Sequence, residues 1–340
     1  MALNTVSTNR LSTNVKPSNL SSGFGSLGSR NMVINGAMQI NARGNGSLTI
    51  NSSTGQFPCD RWVARGEGGS KAYTIQQVSV ASSGLGVRNA IKVTSSQAAS
   101  VAASDIFNVR QMVEGFNIQR MNFGESGCKS MTLSFTVRSS VAGTHSGAIQ
   151  NSAQNRSYPF TYTLSADTWT DISVTIPPIT DGSSWNETDG VGVRVVFDMG
   201  CGNNFRGTAG QWNSAQDEGA TGSVRILETN GATWEVTKVQ LEVGTEGTDF
   251  ERRSIGDEEK LCKRYYISTT DFHHICVNNG ESDRWIRFMV EMRTAPTVTT
   301  SPTNSVSFAA QNQTQHGFAG NGSGASLANF NMPWTADAEL

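Results

Sequence analysis

Charge is scarce in this sequence. Only 16% of the 340 residues are Asp, Glu, Lys or Arg, and the net charge is −2. A duplex-DNA binder needs a basic excess to neutralise phosphates, and none is present, so no nucleic-acid partner is expected. Cysteine is sparse as well. The five (Cys59, Cys128, Cys201, Cys262, Cys276) are odd in number and widely spread, and no CxxC pair offers a metal site. They read as reduced thiols, mostly buried as small apolar side chains. No run approaches the roughly 20 apolar residues that span a bilayer, so membrane insertion is not expected. Residues 1–29 hold no apolar core of a secretory signal, which suits a protein made in a cytoplasm.

Histidine is almost absent: His145, His273, His274 and His316 are the four. A serine or cysteine nucleophile needs a base beside it. His145 sits in a loop-like Thr-His-Ser-Gly setting, His273 and His274 are adjacent and would face opposite sides of a strand, and no GxSxG elbow surrounds any serine. Paired carboxylates for glycan cleavage have no diagnostic spacing. Asp181, Glu187, Asp189, Asp217 and Glu218 are scattered through Gly/Ser/Asn-rich stretches. No DxDxDG calcium loop appears. The expectation is a non-enzymatic protein with no metal and no cofactor.

Glycine (35 residues), serine, threonine and asparagine are plentiful instead. They suit turns and solvated strand faces and are poor in helix interiors, so the chain is expected to be all-β. Alternation supports this. Met131, Leu133, Phe135 and Val137 share one face and Thr132, Ser134 and Thr136 the other. Phe160, Tyr162 and Leu164 repeat the pattern, as do Ile172, Val174 and Ile176, which stop at Pro177-Pro178. Val191, Val193, Val195, Phe197 and Met199 form the longest run, with Arg194, Val196 and Asp198 on its second face. Trp234 and Val236 have one parity and Val239, Leu241 and Val243 the other, which predicts a β-bulge near Thr237-Lys238. Many strands with Gly-rich turns point to a jelly-roll β-sandwich.

Four parts are expected: an arm over 1–30, a β-sandwich over 31–253, a connecting helix over 254–266 and a small β-rich region over 267–340. The arm is polar, with Val6, Leu11, Val15, Leu20, Phe24 and Leu27 recurring every few positions. It reads either as a disordered tail or as a strap laid on a partner surface, and the spacing suits the strap. The helix opens with acids and closes with bases, matching its dipole, with Ser254 or Asp257 as N-cap and Ile255, Glu258/Glu259, Cys262, Tyr265 and Tyr266 near one face. After it, Ile286, Phe288, Val290 and Met292 alternate as in a strand, and the aromatic tail Phe330–Trp334 is expected to pack on something. The low apolar content of 267–340 suggests support from neighbouring chains.

Three segments carry a resemblance. They are Asn31-Met-Val-Ile-Asn-Gly-Ala-Met-Gln-Ile-Asn-Ala-Arg-Gly44, Cys59-Asp-Arg-Trp62, and Val239-Gln-Leu-Glu-Val-Gly-Thr-Glu-Gly-Thr-Asp-Phe-Glu-Arg-Arg253 running into Leu261-Cys-Lys-Arg-Tyr-Tyr266. Together they resemble a family of bacteriophage virion proteins, commonly tail-fibre or other host-attachment components, whose sandwich is similar to carbohydrate-binding jelly rolls. The resemblance covers roughly residues 31–295. It implies a place in the virion, homotrimers, other virion proteins as partners of the N-terminal arm, and a host surface polysaccharide as ligand. A purely structural virion component (head fibre, decoration or tail adaptor) is the alternative, and a glycan-degrading tail spike the third reading. For the residues themselves, Trp62 reads as core, with Asp60 or Arg61 tying loops together.

Sugars stack their apolar faces on aromatic rings rimmed by Asn, Gln and Asp. Two loop stretches, 181–187 and 203–213, offer such rings, and Trp185, Phe205 and Trp212 are the candidate glycan-binding residues. The competing reading has them closing the sandwich ends or filling a subunit interface.

Overall fold

The computed structural model describes residues 30–69, 71–270, 273–275, 282–301, 307–323, 329–331 and 333–340. Of the expected arm, only Arg30 is among them. Its guanidinium meets Glu242 at 3.3 Å and the Asp249 carbonyl at 2.7 Å.

The strands of the first part are β1 (Leu48–Ile50), β2 (Gln56–Cys59), β3 (Trp62–Glu67), β4 (Ala72–Ser79), β5 (Asn89–Gln97), β6 (Ile106–Glu114), β7 (Met131–Ser139), β8 (Gly143–Asn151), β9 (Ser157–Leu164), β10 (Thr170–Ile176), β11 (Val191–Asp198), β12 (Arg206–Gly207), β13 (Gly219–Ala220) and β14 (Thr233–Val243). Two six-stranded antiparallel sheets result. The first runs β1-β4-β5-β14-β7-β10 and the second β2-β3-β6-β11-β8-β9. The chain is an all-β jelly-roll sandwich, as its alternation predicts.

Each sheet turns one apolar face inward, and these faces meet in a single core. Aromatic rings fill its centre. Phe135 on β7 stands edge-on to Phe197 on β11 at 5.1 Å, and Phe197 lies 5.2 Å from Trp234 on β14. The Trp234 indole N–H donates to the Tyr162 hydroxyl at 3.1 Å, so the one polar atom that this ring buries is satisfied.

The predicted bulge is present. The β14–β7 register shifts between Thr237 and Gln240, and Lys238 takes a left-handed φ of 53°. Two expectations need correcting. Residues 31–44, the opening of the expected sandwich, form no strand. Their backbone is instead satisfied irregularly, by side chains and by the bulge. His145 lies in no loop. It occupies β8, 1% exposed, with its Nε2–H donating to the Val141 carbonyl at 2.9 Å and its ring stacking on Tyr162 at 5.7 Å.

Two helices are present among the described residues. The short α1 (Gly115–Ile118) follows β6, and α2 (Ile255–Lys263) lies within the stretch expected to be helical. Ser254 is the N-cap of α2, accepting from the Asp257 amide, while Asp257 serves in the first turn. The buried face of α2 differs from the expected one. Ile255 is 60% exposed, whereas Cys262 and the following Tyr265 are buried with Ile34, and Leu261 packs beside them. A helix this short is placed by its last turn, where the apolar residues gather.

The remaining strands are β15 (Tyr266–Thr269), β16 (His273–Ile275), β17 (Ser282–Arg287), β18 (Thr297–Thr300), β19 (Ser307–Thr314), β20 (Gly317–Ser323), β21 (Asn329–Asn331) and β22 (Trp334–Asp337). They pair as β15-β22-β18, β16-β21 and β17-β20-β19. A small core of Ile286, Phe288, Met292, Phe318, Trp334, Ala336 and Ala338 lies among them. The alternation read over 286–292 is strand only as far as Arg287. Beyond it the Phe288 and Met292 amides bond to the carbonyls of His316 and Gln315, and Met289 is exposed. Cys276 and the side chain of Phe330 lie outside the described residues.

Candidate functional site

The three segments behind the family resemblance converge in space. Residues 31–38 are buried throughout without regular structure. The Asn31 amide donates to the Val239 carbonyl at 3.1 Å and its oxygen accepts the Leu241 N–H at 3.0 Å, tying the segment to the first sheet. Gln111 of the second sheet exchanges two hydrogen bonds with the Ile34 backbone, at 2.9 and 2.7 Å. The segment therefore closes one end of the sandwich by bonding to both layers. Asn35 holds its own loop through Ile40 and reaches the Asp60 carbonyl, while the Trp62 indole donates to the Asn35 carbonyl at 3.0 Å.

The last turn of α2 and the chain end dock on the same place. Arg61 lies 3.4 Å over the Tyr265 ring and Arg43 lies 3.6 Å over Tyr266. Arg61 also pairs with Glu339, and Arg43 with Asp337 at 3.1 Å. Glu114, 1% exposed, receives Arg264 through Nε at 2.9 Å and Nη2 at 2.6 Å, and the Tyr265 hydroxyl at 2.5 Å. Asn35, Met38, Arg61 and Lys238 all have φ between 52° and 71°, so left-handed backbone is concentrated here. Burial pushes the Asp60 carboxyl up to about 6, against the lowering effect of Arg43 and the Ala42 amide. This is a junction: it joins the sandwich, α2 and the C-terminal strands.

The predicted aromatic residues lie elsewhere, and two of the three are brought together. Trp185 stacks on Phe123 at 4.2 Å and stands edge-on to Trp212 at 5.8 Å, and Trp212 lies 5.4 Å from Tyr158. Trp185 is 9% exposed and donates to Ser183 Oγ; Trp212 is partly exposed and donates to the Pro177 carbonyl. Phe205 is not part of this group. It ends a 3-10 turn, Asn203–Phe205, and makes no ring contact with either tryptophan among the described residues. Polar groups rim the cluster. Arg156 and Asp181 pair at 2.5 Å, and Gln211 donates to Asn213 at 3.1 Å. Burial raises the Asp181 carboxyl, but bonds from Ser183 and Arg156 together outweigh it and hold the group below its ordinary range.

Both acids of the 201–224 loop, Asp217 and Glu218, are buried. Asp217 accepts from Ser157 Oγ (3.0 Å) and Asn213 Nδ2 (2.9 Å), and Glu218 accepts from Asn108 at 3.0 Å. Asp198 on β11 pairs with Arg206 at 2.6 Å, with both side chains buried. These bonds lay the loop over the β9, β8 and β11 side of the second sheet's outward face. The sequence does not record them, because the partners are 60 and 110 residues apart (Ser157–Asp217 and Asn108–Glu218) or sit in loops without a pattern. Among the described residues no group of three His, Cys, Asp or Glu is placed to hold a metal, and no helix is long and apolar enough to cross a membrane.

No family model and no curated protein matches the sequence. Solved structures similar to the chain include one described as CBM4, 14% identical, covering 64% of this chain and all of that one at a TM-score of 0.30. A family 11 carbohydrate-binding module from a Clostridium thermocellum cellulosomal cellulase is 12% identical over 60% of this chain and 98% of that one, at 0.29. Tailspike protein 4 of bacteriophage CBA120 (its enzymatically active domain) is 11% identical over 63% of this chain and 22% of that one, at 0.32. At these values the likeness carries no argument for what the chain binds.

Proposed function

We propose that the chain is a non-enzymatic host-attachment component of a phage particle, such as a tail fibre, that recognises a surface glycan. The observation that carries the glycan part is the aromatic corner. The partly exposed ring of Trp212 is held rigid by Trp185 and Tyr158 and is rimmed by Gln211, Asn213, Arg156 and Asp181. A fixed ring beside amide and charged groups is what a sugar face needs: apolar stacking in the middle, hydrogen bonds at the edge. The virion part rests on the sequence resemblance. In this reading the arm fastens the chain to other virion proteins, the assembly is a homotrimer, and several weak sites add up by avidity.

The test is adsorption of labelled protein to host cells and to their isolated surface polysaccharide. Trp212→Ala should cut binding severalfold while circular dichroism stays unchanged. Unchanged binding removes the corner from consideration. Light scattering at micromolar concentration should give three times the chain mass; a stable monomer removes the trimer. A second reading, a purely structural virion component, is favoured by one observation: Trp185 is buried and its indole N–H is committed to Ser183. Purified protein that never binds host cells, yet is found in the particle, supports that reading.

A further inference from the structure

Sheet register places three arginines in a diagonal row on the outward face of the second sheet. Arg65 lies on β3, Arg110 on β6 and Arg194 on β11, and these strands are consecutive in the sheet. Arg65 is opposite Asn108, two residues before Arg110, and Arg110 is opposite Val196, two residues after Arg194. Ala64, Val109 and Val195, the alternate residues, point into the core. Diagonal neighbours in an antiparallel pair stand ~7–8 Å apart. All three arginines are partly exposed.

Such a row works against stability, since like charges on adjacent strands repel. Burial lowers the Arg110 guanidinium, Glu218 partly restores it, and Arg65 lowers it again. Burial and then Arg110 bring Arg194 down to about 10. Local partners compensate little. Arg65 holds the half-exposed Glu67, and Arg194 donates to the carbonyls of Asn151 and Ser152 at 2.7 Å. Arg110 makes no hydrogen bond or ion pair among the described residues, and the Nε of all three is buried without a partner. Glu218, the carboxylate closest in effect, is already engaged by Asn108, Gln216 and Gln154. Beside the row, Asn108 Oδ1 and Gln150 Oε1 lack a donor. Three guanidiniums thus face two carboxylates, Glu67 and Glu218, which leaves one positive charge over, and two amide oxygens lack a donor. Its β11 end leads toward the aromatic corner: Asn151, whose carbonyl takes Arg194, also donates to the Ser184 carbonyl next to Trp185.

We propose that the Arg65–Arg110–Arg194 row binds the carboxylate groups of an acidic polysaccharide. A planar guanidinium takes a carboxylate through two parallel bonds, and the unpartnered Arg110 is the central contact. This rests on the glycan-recognition reading and narrows it to acidic sugars.

The experiment is calorimetric titration of the full chain with oligogalacturonate, hyaluronan oligomers and oligosialate, each beside its methyl ester. At least one acid should bind about tenfold more tightly than its ester, the size expected for one charged hydrogen-bonded contact. R110Q should erase that difference without lowering the melting temperature, since it removes an unpaired cation. Equal binding of acid and ester, or acid binding untouched by R110Q, overturns the inference. So does duplex DNA binding as tightly as the acids, which would mark a general polyanion surface. Binding of neutral oligosaccharides alone, lost in Trp212→Ala, sinks the acidic site and leaves glycan recognition standing. Binding of no glycan at all sinks both.

Discussion

The Gly36 carbonyl accepts the Val239 amide at 2.9 Å, at the step where β14 slips register against β7. The bulge and the buried opening segment thus explain each other. One extra residue in β14 turns an N–H away from β7, and the irregular 31–38 stretch supplies its acceptor. A Cβ built on Gly36 would stand 2.1 Å from the Val239 carbonyl oxygen.

Gly36→Ala is therefore expected to destabilise the chain by about 3 kcal/mol, the upper end of the usual overpacking cost. Backbone atoms of β14 cannot yield as a flexible side chain would. Urea unfolding followed by tryptophan fluorescence measures it, and an unchanged midpoint would refute the contact.

Asp60 should show in the pH dependence of stability. It ionises near 3.8 when unfolded and near 6 when folded, because burial outweighs the neighbouring Arg43. A raised acid favours the folded state while protonated. Its contribution is complete below about pH 4, is lost as pH rises to about 6, and is flat above that, with roughly 3 kcal/mol as the upper bound. Asp60→Asn should shrink the change in unfolding free energy between pH 4 and 6. A carbon-13 titration of the Asp60 carboxyl with its midpoint near 4 would contradict the prediction.

Removing Arg264 should uncouple the C-terminal strands from the sandwich. Glu114 is buried and relies on Arg264 and Tyr265 for its three bonds. Arg264→Ala leaves a buried carboxylate short of its cation, and about 3 kcal/mol is expected. Glu114→Gln in the same chain should recover part of it, and limited proteolysis should cut the single variant after α2 first. Additive effects of the two substitutions would count against direct coupling.

The two corner tryptophans should separate by role. Trp185→Ala empties a stacked, buried site and is expected to cost about 3 to 5 kcal/mol. Trp212→Ala removes a half-buried ring and should cost clearly less. Equal losses in thermal unfolding would mean that both rings are core.

Much of the sandwich is legible from alternation, because one face of a strand must be apolar when a second sheet covers it. Met131–Val137, Val191–Met199 and the parity switch before Val239 all carry that mark. Strand β6 does not, since most of its outward face is also covered: Ile106, Asn108, Met112 and Glu114 are buried, and on that face Arg110 alone is partly exposed. Strand β8 reads as loop because Gly143, Gly147 and small polar residues make it up. Of the proposed site residues, Trp185 and Trp212 were visible as loop aromatics, but their mutual contact was not.

Composition and periodicity by themselves determined an all-β chain with a bulge and a capped helix, since each follows from local chemistry within a few residues. Only the tertiary structure decided that Asn31–Met38, Asp60–Trp62 and Cys262–Tyr266 form one junction and that Arg65, Arg110 and Arg194 share a face. Those relations join positions 22 to 235 residues apart in sequence, and nothing local to any of them records which distant partner satisfies its charge.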